Sequence, residues 1–161
     1  MNADADAVAG DGRNETESER LDRNWGDILQ ELRVVQTGTQ ILMGFLLTLV
    51  FQQRFTDLTD AQVTIYLVLV ALAAVTTVLA LTPVALHRAL FRKGAKAQIV
   101  WLGNLLLHLA LVFVGLTLTG TVLLVFDVVV GTTAGIAAAV ATFVLTLAAW
   151  ALLPAVVRPR R

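Results

Sequence analysis

The chain has 161 residues, 57% of them hydrophobic and only 15% charged, with twelve basic residues balanced by twelve acidic ones. Soluble domains run near 45–50% apolar and about 25% charged, and the mean hydropathy of +0.77 points the same way. Uncharged runs of this length cannot be hidden in one small water-soluble core, so the chain reads as an integral membrane protein. There is no cysteine, which excludes disulfides, thiolate metal sites and cysteine nucleophiles. Ten arginines against two lysines, with abundant Ala, Val and Leu, match the usage of a GC-rich prokaryotic genome.

Residues 1–15 form an acidic tail. It has neither the positive start nor the apolar centre of a cleavable signal peptide, so the mature chain is expected to keep it. Residues 16–33 read as a separate juxtamembrane amphipathic helix. Thr16 and Glu19 have capping-box spacing, and Leu21, Trp25, Ile28, Leu29 and Leu32 fall on one helical stripe. Glu19 and Arg23 are placed to pair one turn apart. From Glu15 to Arg33 there are six acids against three arginines. Helices that lie on anionic lipid are normally basic on their polar face, so this one is expected to pack on the chain's own basic stretch, Arg88 to Lys96, or on a partner.

A helix of about 20 residues crosses a bilayer core of about 30 Å. Four apolar stretches meet that length, at 34–53, 62–86, 99–124 and 131–157, within a transmembrane domain 34–157 that ends in a basic tail, 158–161. Continuous apolar runs exclude barrel strands, which alternate, and only helices satisfy their own backbone in lipid. The expected fold class is therefore all-α, polytopic, with four transmembrane helices preceded by a cytoplasmic amphipathic helix. Thr59 and Gln62 again have capping-box spacing, at the start of the second span, and Asp127 marks the turn between the third and fourth.

Eleven of the twelve basic residues flank one set of span ends, and only Arg54 flanks the other. Because positive charge stays inside, both termini are expected in the cytoplasm and the protein in the cytoplasmic membrane. Trp101 and Trp150 are then expected at the inner interface and Tyr66 near the outer one.

Ionisable groups inside a span are costly and so mark function. Here His108 is the only candidate, placed near the bilayer centre by its distance from Lys96. Asn104 shares its face, and Gln36 and Gln40 share a face of span one, with Gln40 and Asn104 expected at similar depth. Thr76, Thr77, Thr142 and Thr146 fall in the same half of the other spans. Two readings of Gln36, Gln40, Asn104 and His108 stand side by side: a solvated proton pocket, or interhelical hydrogen bonds worth about 0.6 kcal/mol each. Gly131, Gly135 and Ala139 recur every fourth residue, a pattern that lets helices approach closely, within the bundle or in a dimer. No catalytic motif, metal site or cofactor-binding motif is found, and nothing supports nucleic-acid binding.

The run Glu31-Leu-Arg-Val-Val-Gln-Thr-Gly-Thr-Gln-Ile-Leu42, with Phe51 to Phe55 and Pro83 to Arg88, resembles an uncharacterised bacterial family of small four-span membrane proteins. That resemblance implies the same fold and no established activity. Some family members carry a sodium:proton antiporter label, but known antiporters are built on inverted repeats and membrane carboxylates, which these four spans lack. The expected function is that of a non-enzymatic accessory or assembly protein. Its partners would be the lipid bilayer and a second copy or another membrane protein engaged through Thr16–Arg33. A small oligomeric proton- or sodium-linked transporter or channel is the alternative.

Overall fold

A computed structural model describes residues 14–90 and 96–157. Among them there is no strand, and four helical rods are long and apolar enough to cross a membrane. The chain is a multi-pass helical membrane protein.

Helix α1 (Glu17–Leu49) begins at the expected capping box. The Thr16 hydroxyl accepts from the Glu19 amide at 3.3 Å, and the Glu19 carboxylate accepts from the Thr16 amide at 2.8 Å. That use of Glu19 leaves the expected Glu19–Arg23 pair unmade: Arg23 binds Glu15 at 2.7 Å and approaches Asp27 at 3.9 Å. The helix then runs unbroken through Arg33 for 33 residues. The amphipathic segment and the first span are thus one rod of about 50 Å. Nothing stops it, because the stretch holds no proline and its glycines, Gly26, Gly38 and Gly44, look into open space.

After a short 3₁₀ helix (Gln53–Asp57), α2 (Asp60–Leu90) opens with the second capping box. Gln62 Oε1 accepts from the Thr59 amide at 3.0 Å, and the Thr59 hydroxyl accepts from the Gln62 amide at 3.3 Å. Helix α3 (Lys96–Val129) is the longest, at 34 residues. It turns at Gly131, whose φ of +124° is one that residues with a Cβ rarely adopt. Helix α4 (Thr132–Leu147) continues through a π turn (Ala148–Leu152) into α5 (Leu153–Val157). Pro154 explains the π turn, since it cannot donate to the carbonyl one turn back. The ladder slips one residue just before it, with Leu153 donating to Ala148.

Helix α3 is the axis of the assembly. It packs on α1, α2 and α4, and α4 packs chiefly on α3. Each neighbour meets it at a glycine. A Cβ on Gly103 would stand 2.9 Å from the Trp25 ring of α1, Gly120 holds Leu69 of α2 closer still, and Gly115 lies against Thr146 and Trp150 of the fourth rod. In return, Gly135 of α4 sits where a Cβ would come within 3.0 Å of the Leu123 carbonyl and the Asp127 Cβ. Two apolar clusters fill the joints. Leu46, Tyr66, Leu69, Ala73 and Leu124 close the end near the two tight connections, here the turn end. Ile28, Leu32, Ala80 and Leu107 close the other, here the terminal end.

The small-residue stripe is therefore used inside the bundle, and its members divide the work. Gly135 makes the close approach, Ala139 is half-buried, and Gly131 stands before the helix with no heavy atom near its missing Cβ. It is a turn residue, not a packing one.

These contacts fix the relative heights of the helices. Ile28 faces Gly103, so Arg33 is level with His108, five residues further along each parallel rod. From His108 to Asp127 is about 29 Å at 1.5 Å per residue, close to the hydrocarbon thickness of about 30 Å. The stretch of α3 with no ionisable side chain between those two residues is one bilayer core long. Below it, α1, α2 and α3 extend together past the level of Arg33.

Gly135→Ala should lower stability in detergent by about 1–3 kcal/mol, an overpacking cost, because backbone atoms of α3 cannot move aside. Gly44→Ala, facing open space, should be neutral or slightly stabilising. Chemical unfolding of the two variants side by side checks this.

Candidate functional site

The four polar side chains singled out by sequence do not come together. Gln40, Asn104 and His108 are exposed and Gln36 is half-buried. Gln40 lies twelve residues beyond Ile28, whereas Asn104 lies one beyond Gly103, so their heights differ by about 16 Å. The expectation of similar depth assumed that α1 enters the membrane where α3 does, and the long extension of α1 removes that assumption. His108 is level with Arg33, at the edge of the charge-free zone and not at its centre. Its Nδ1 lies 2.7 Å from the carbonyl oxygen of Asn104. A carbonyl can only accept, so Nδ1 carries the proton and the ring is bonded to its own helix.

The threonines behave the same way. Thr76, Thr77, Thr117 and Thr146 each donate to the carbonyl four residues back, at 2.8–2.9 Å. They contribute self-satisfied hydroxyls, on buried residues at Thr76 and Thr117 and on half-buried ones at Thr77 and Thr146, and no interhelical bond. The aromatic belt also differs from expectation. Trp150 packs near Gly115 while Trp101 lies two residues before Gly103, a separation along the bundle of roughly 20 Å. Tyr66 stands at the turn end, the end expected for it, but is buried, 4% exposed, with its ring edge-on to Phe55 at 5.0 Å.

Two polar junctions do form, one at each end. At the terminal end, Trp25 is held between α2 and α3. Its ring stacks on His87 at 5.3 Å with 21° between planes, and its far edge covers Gly103. One turn away from this wedge, Asp22 pairs with Lys96 at 2.6 Å. The acidic segment thus packs on its own chain, as one of the two sequence readings has it, and Lys96 belongs to the basic stretch named there. Arg92 and Lys93 lie outside the described residues. Both partners of the ion pair are well exposed, so the apolar stripe carries the energy and the charges select position.

At the turn end, Asp127 is the knot. One carboxyl oxygen accepts from the Gln62 amide group at 3.1 Å, the other from the Thr132 hydroxyl at 2.8 Å. A single side chain so ties α3 to the starts of α2 and α4. Sequence reasoning placed Asp127 at the turn but gave it no partners. The capping-box role of Gln62 hid that its NH2 group remains free to donate.

Beside this knot opens a recess of about 550 Å³ between the ends of α1 and α3, beneath the 3₁₀ helix. Arg54 and Gln53 stand on the 3₁₀ side, with Leu49, Tyr66, Leu124 and Val128 forming apolar wall. No group of three or more potential metal ligands occurs among the described residues.

The model of one family, a family of unknown function (DUF6328), matches residues 14–154. The chain belongs to that family. No curated protein and no solved structure matches it. The DUF6328 match spans both junctions and all four rods, so it covers the bundle as a whole and not the first two helices alone.

Trp25→Ala should destabilise the protein by roughly 3 kcal/mol, the low end for tryptophan truncation because the ring is half-buried. Asp22→Asn should cost under about 1 kcal/mol. Hydrogen exchange over residues 17–31 checks the difference: it should rise sharply in the first variant and stay near wild type in the second.

Proposed function

We propose that this DUF6328 protein is a non-enzymatic accessory or assembly protein of the cytoplasmic membrane. Both termini lie in the cytoplasm, and the terminal-end extension is its presented surface. The observation that carries this reading is where the polar groups fall. Along the bundle axis, the interior between the levels of Arg33 and Asp127 is filled by Leu46, Leu69, Ala73 and threonines, of which Thr76 and Thr117 are self-bonded and Thr119 holds a buried hydroxyl with no partner among the described residues. The ionisable side chains of α3 stand only at the two edges. A proton or sodium path requires groups that hold the ion midway, whereas of the residues offered for that role Gln40, Asn104 and His108 are exposed and Gln36 is half-buried. The apolar stripe of α1 is covered by α2 and α3, which leaves Glu17, Asp27 and Glu31 exposed for a partner. That partner would meet an acidic, polar face and not an apolar one.

Proteoliposomes loaded with a pH-sensitive dye test this against the transport alternative. Wild-type protein should give no proton or sodium flux above that of empty vesicles. Flux that is lost in His108→Ala, with the protein still folded, would reverse the choice.

The orientation rests on the basic residues, eleven of which flank the terminal end. A reporter fused after Arg161 should be cytoplasmic, and one inserted at Asp57 external. Cysteines at Asp27 and Glu31 should crosslink to a second protein in native membranes. Crosslinks confined to the chain itself would leave the assembly role without a surface.

A further inference from the structure

We propose that the recess at the turn end is a binding site for one anionic phospholipid of the adjacent leaflet, with its phosphate on Arg54 and an acyl chain along α3. This goes beyond the accessory role and does not depend on it. Among the described residues Arg54 is the single basic one at this end of the molecule. Among the described residues its guanidinium makes no ion pair and no hydrogen bond, although Asp57 lies three residues away in the same 3₁₀ helix and Asp60 just beyond. The carboxyl of Asp127, the other acid at this end, is taken by Gln62 and Thr132. A guanidinium with five donors in a fixed fork suits a phosphate, and this one is held at the lip of a ready-made recess.

The recess has the shape and grading of an amphiphile site. Its volume of about 550 Å³ lies within the usual range for small-molecule sites, about 300–1,000 Å³. The polar side chains Gln52, Gln53 and Arg54 share the 3₁₀ side with Phe55 and Leu58, while the helix side, Leu124, Val125 and Val128, is wholly apolar. Those α3 residues bracket the level of Asp127, the edge of the charge-free zone, with Leu124 and Val125 on its inner side and Val128 just outside it. A lipid standing in that leaflet presents its phosphate at that edge and its chain below it. A free phosphate would gain the guanidinium but would leave the apolar wall uncovered.

The test uses the full-length protein in nanodiscs of phosphatidylcholine with graded amounts of phosphatidylglycerol. Lipids retained per chain are counted by native mass spectrometry after release. One phosphatidylglycerol should be retained in preference to phosphatidylcholine. Arg54→Gln should weaken that retention about tenfold, the factor for losing one charged hydrogen bond, with thermal unfolding unchanged. Val125→Trp, which fills the recess from the chain side and leaves Arg54 in place, should weaken it as well. An excess of glycerol 3-phosphate should not displace the lipid. Equal retention of phosphatidylcholine, unchanged retention in either variant, or displacement by glycerol 3-phosphate would each overturn the proposal. If Arg54→Gln fails to fold, Val125→Trp alone decides it.

Discussion

Close approach of helices to α3 is the condition on which the rest of this structure depends. In lipid, apolar side chains gain little by leaving one apolar surroundings for another, so helices are held by packing and by a few polar ties. Packing is strongest where backbones come near. Gly135 brings α4 against backbone atoms of α3, Gly103 and Gly120 make room on α3 for the Trp25 and Leu69 side chains, and Gly115 leaves Thr146 and Trp150 at ordinary contact distance. A rod with side chains at those positions would stand further from its neighbours and lose the many short dispersion contacts that a tight seam provides.

The positions of those glycines also set the register, and register sets the chemistry. Because Trp25 and Ile28 meet α3 at Gly103, near its start, the charged half of α1 runs beside the ends of α2 and α3 and not inside the apolar zone. Asp22 of α1 then meets Lys96, and the ring of Trp25 meets His87. His108 is drawn to the edge of the zone, at the level of Arg33. One offset between two parallel helices thus decides that the histidine is a boundary residue. It also leaves the interior without an ionisable group of its own among the described residues.

Much of this was legible in the sequence because it depends on local rules. Both capping boxes, the four apolar stretches and the turn after Asp127 follow from spacings of a few residues. So does the burial of Ile28 and Leu32, which lie on the stripe that the helical period picks out. What was not legible depends on the offset between helices. The depth of His108, the separation of Gln40 from Asn104 and the unequal heights of Trp101 and Trp150 all follow from which residue of one rod faces which residue of another. The Glu19–Arg23 pair failed for a different reason. A carboxylate that is one turn from an arginine and also at the third position of a capping box has two offers, and the backbone donor is nearer. The three glycines of α3 were visible but lacked a fourth-residue period, so their role as separate contact points for three different neighbours was hidden.

The two ends of the bundle solve the same problem with different means. At the terminal end the extension lies below the apolar zone, where water competes for every charge, and an exposed pair such as Asp22–Lys96 contributes little; an aromatic wedge fixes α1 there. At the turn end, Asp127 stands at the boundary of the apolar zone, half-buried, where unmatched donors are costly. One carboxyl group satisfying Gln62 and Thr132 is therefore a strong tie, and it fixes the start of α4, which has few other attachments away from α3. Arg54 lies at that same end with no such partner among the described residues, beside an apolar wall that none of them covers. That unpaired guanidinium beside an apolar recess is the point at which the proposed lipid enters the architecture.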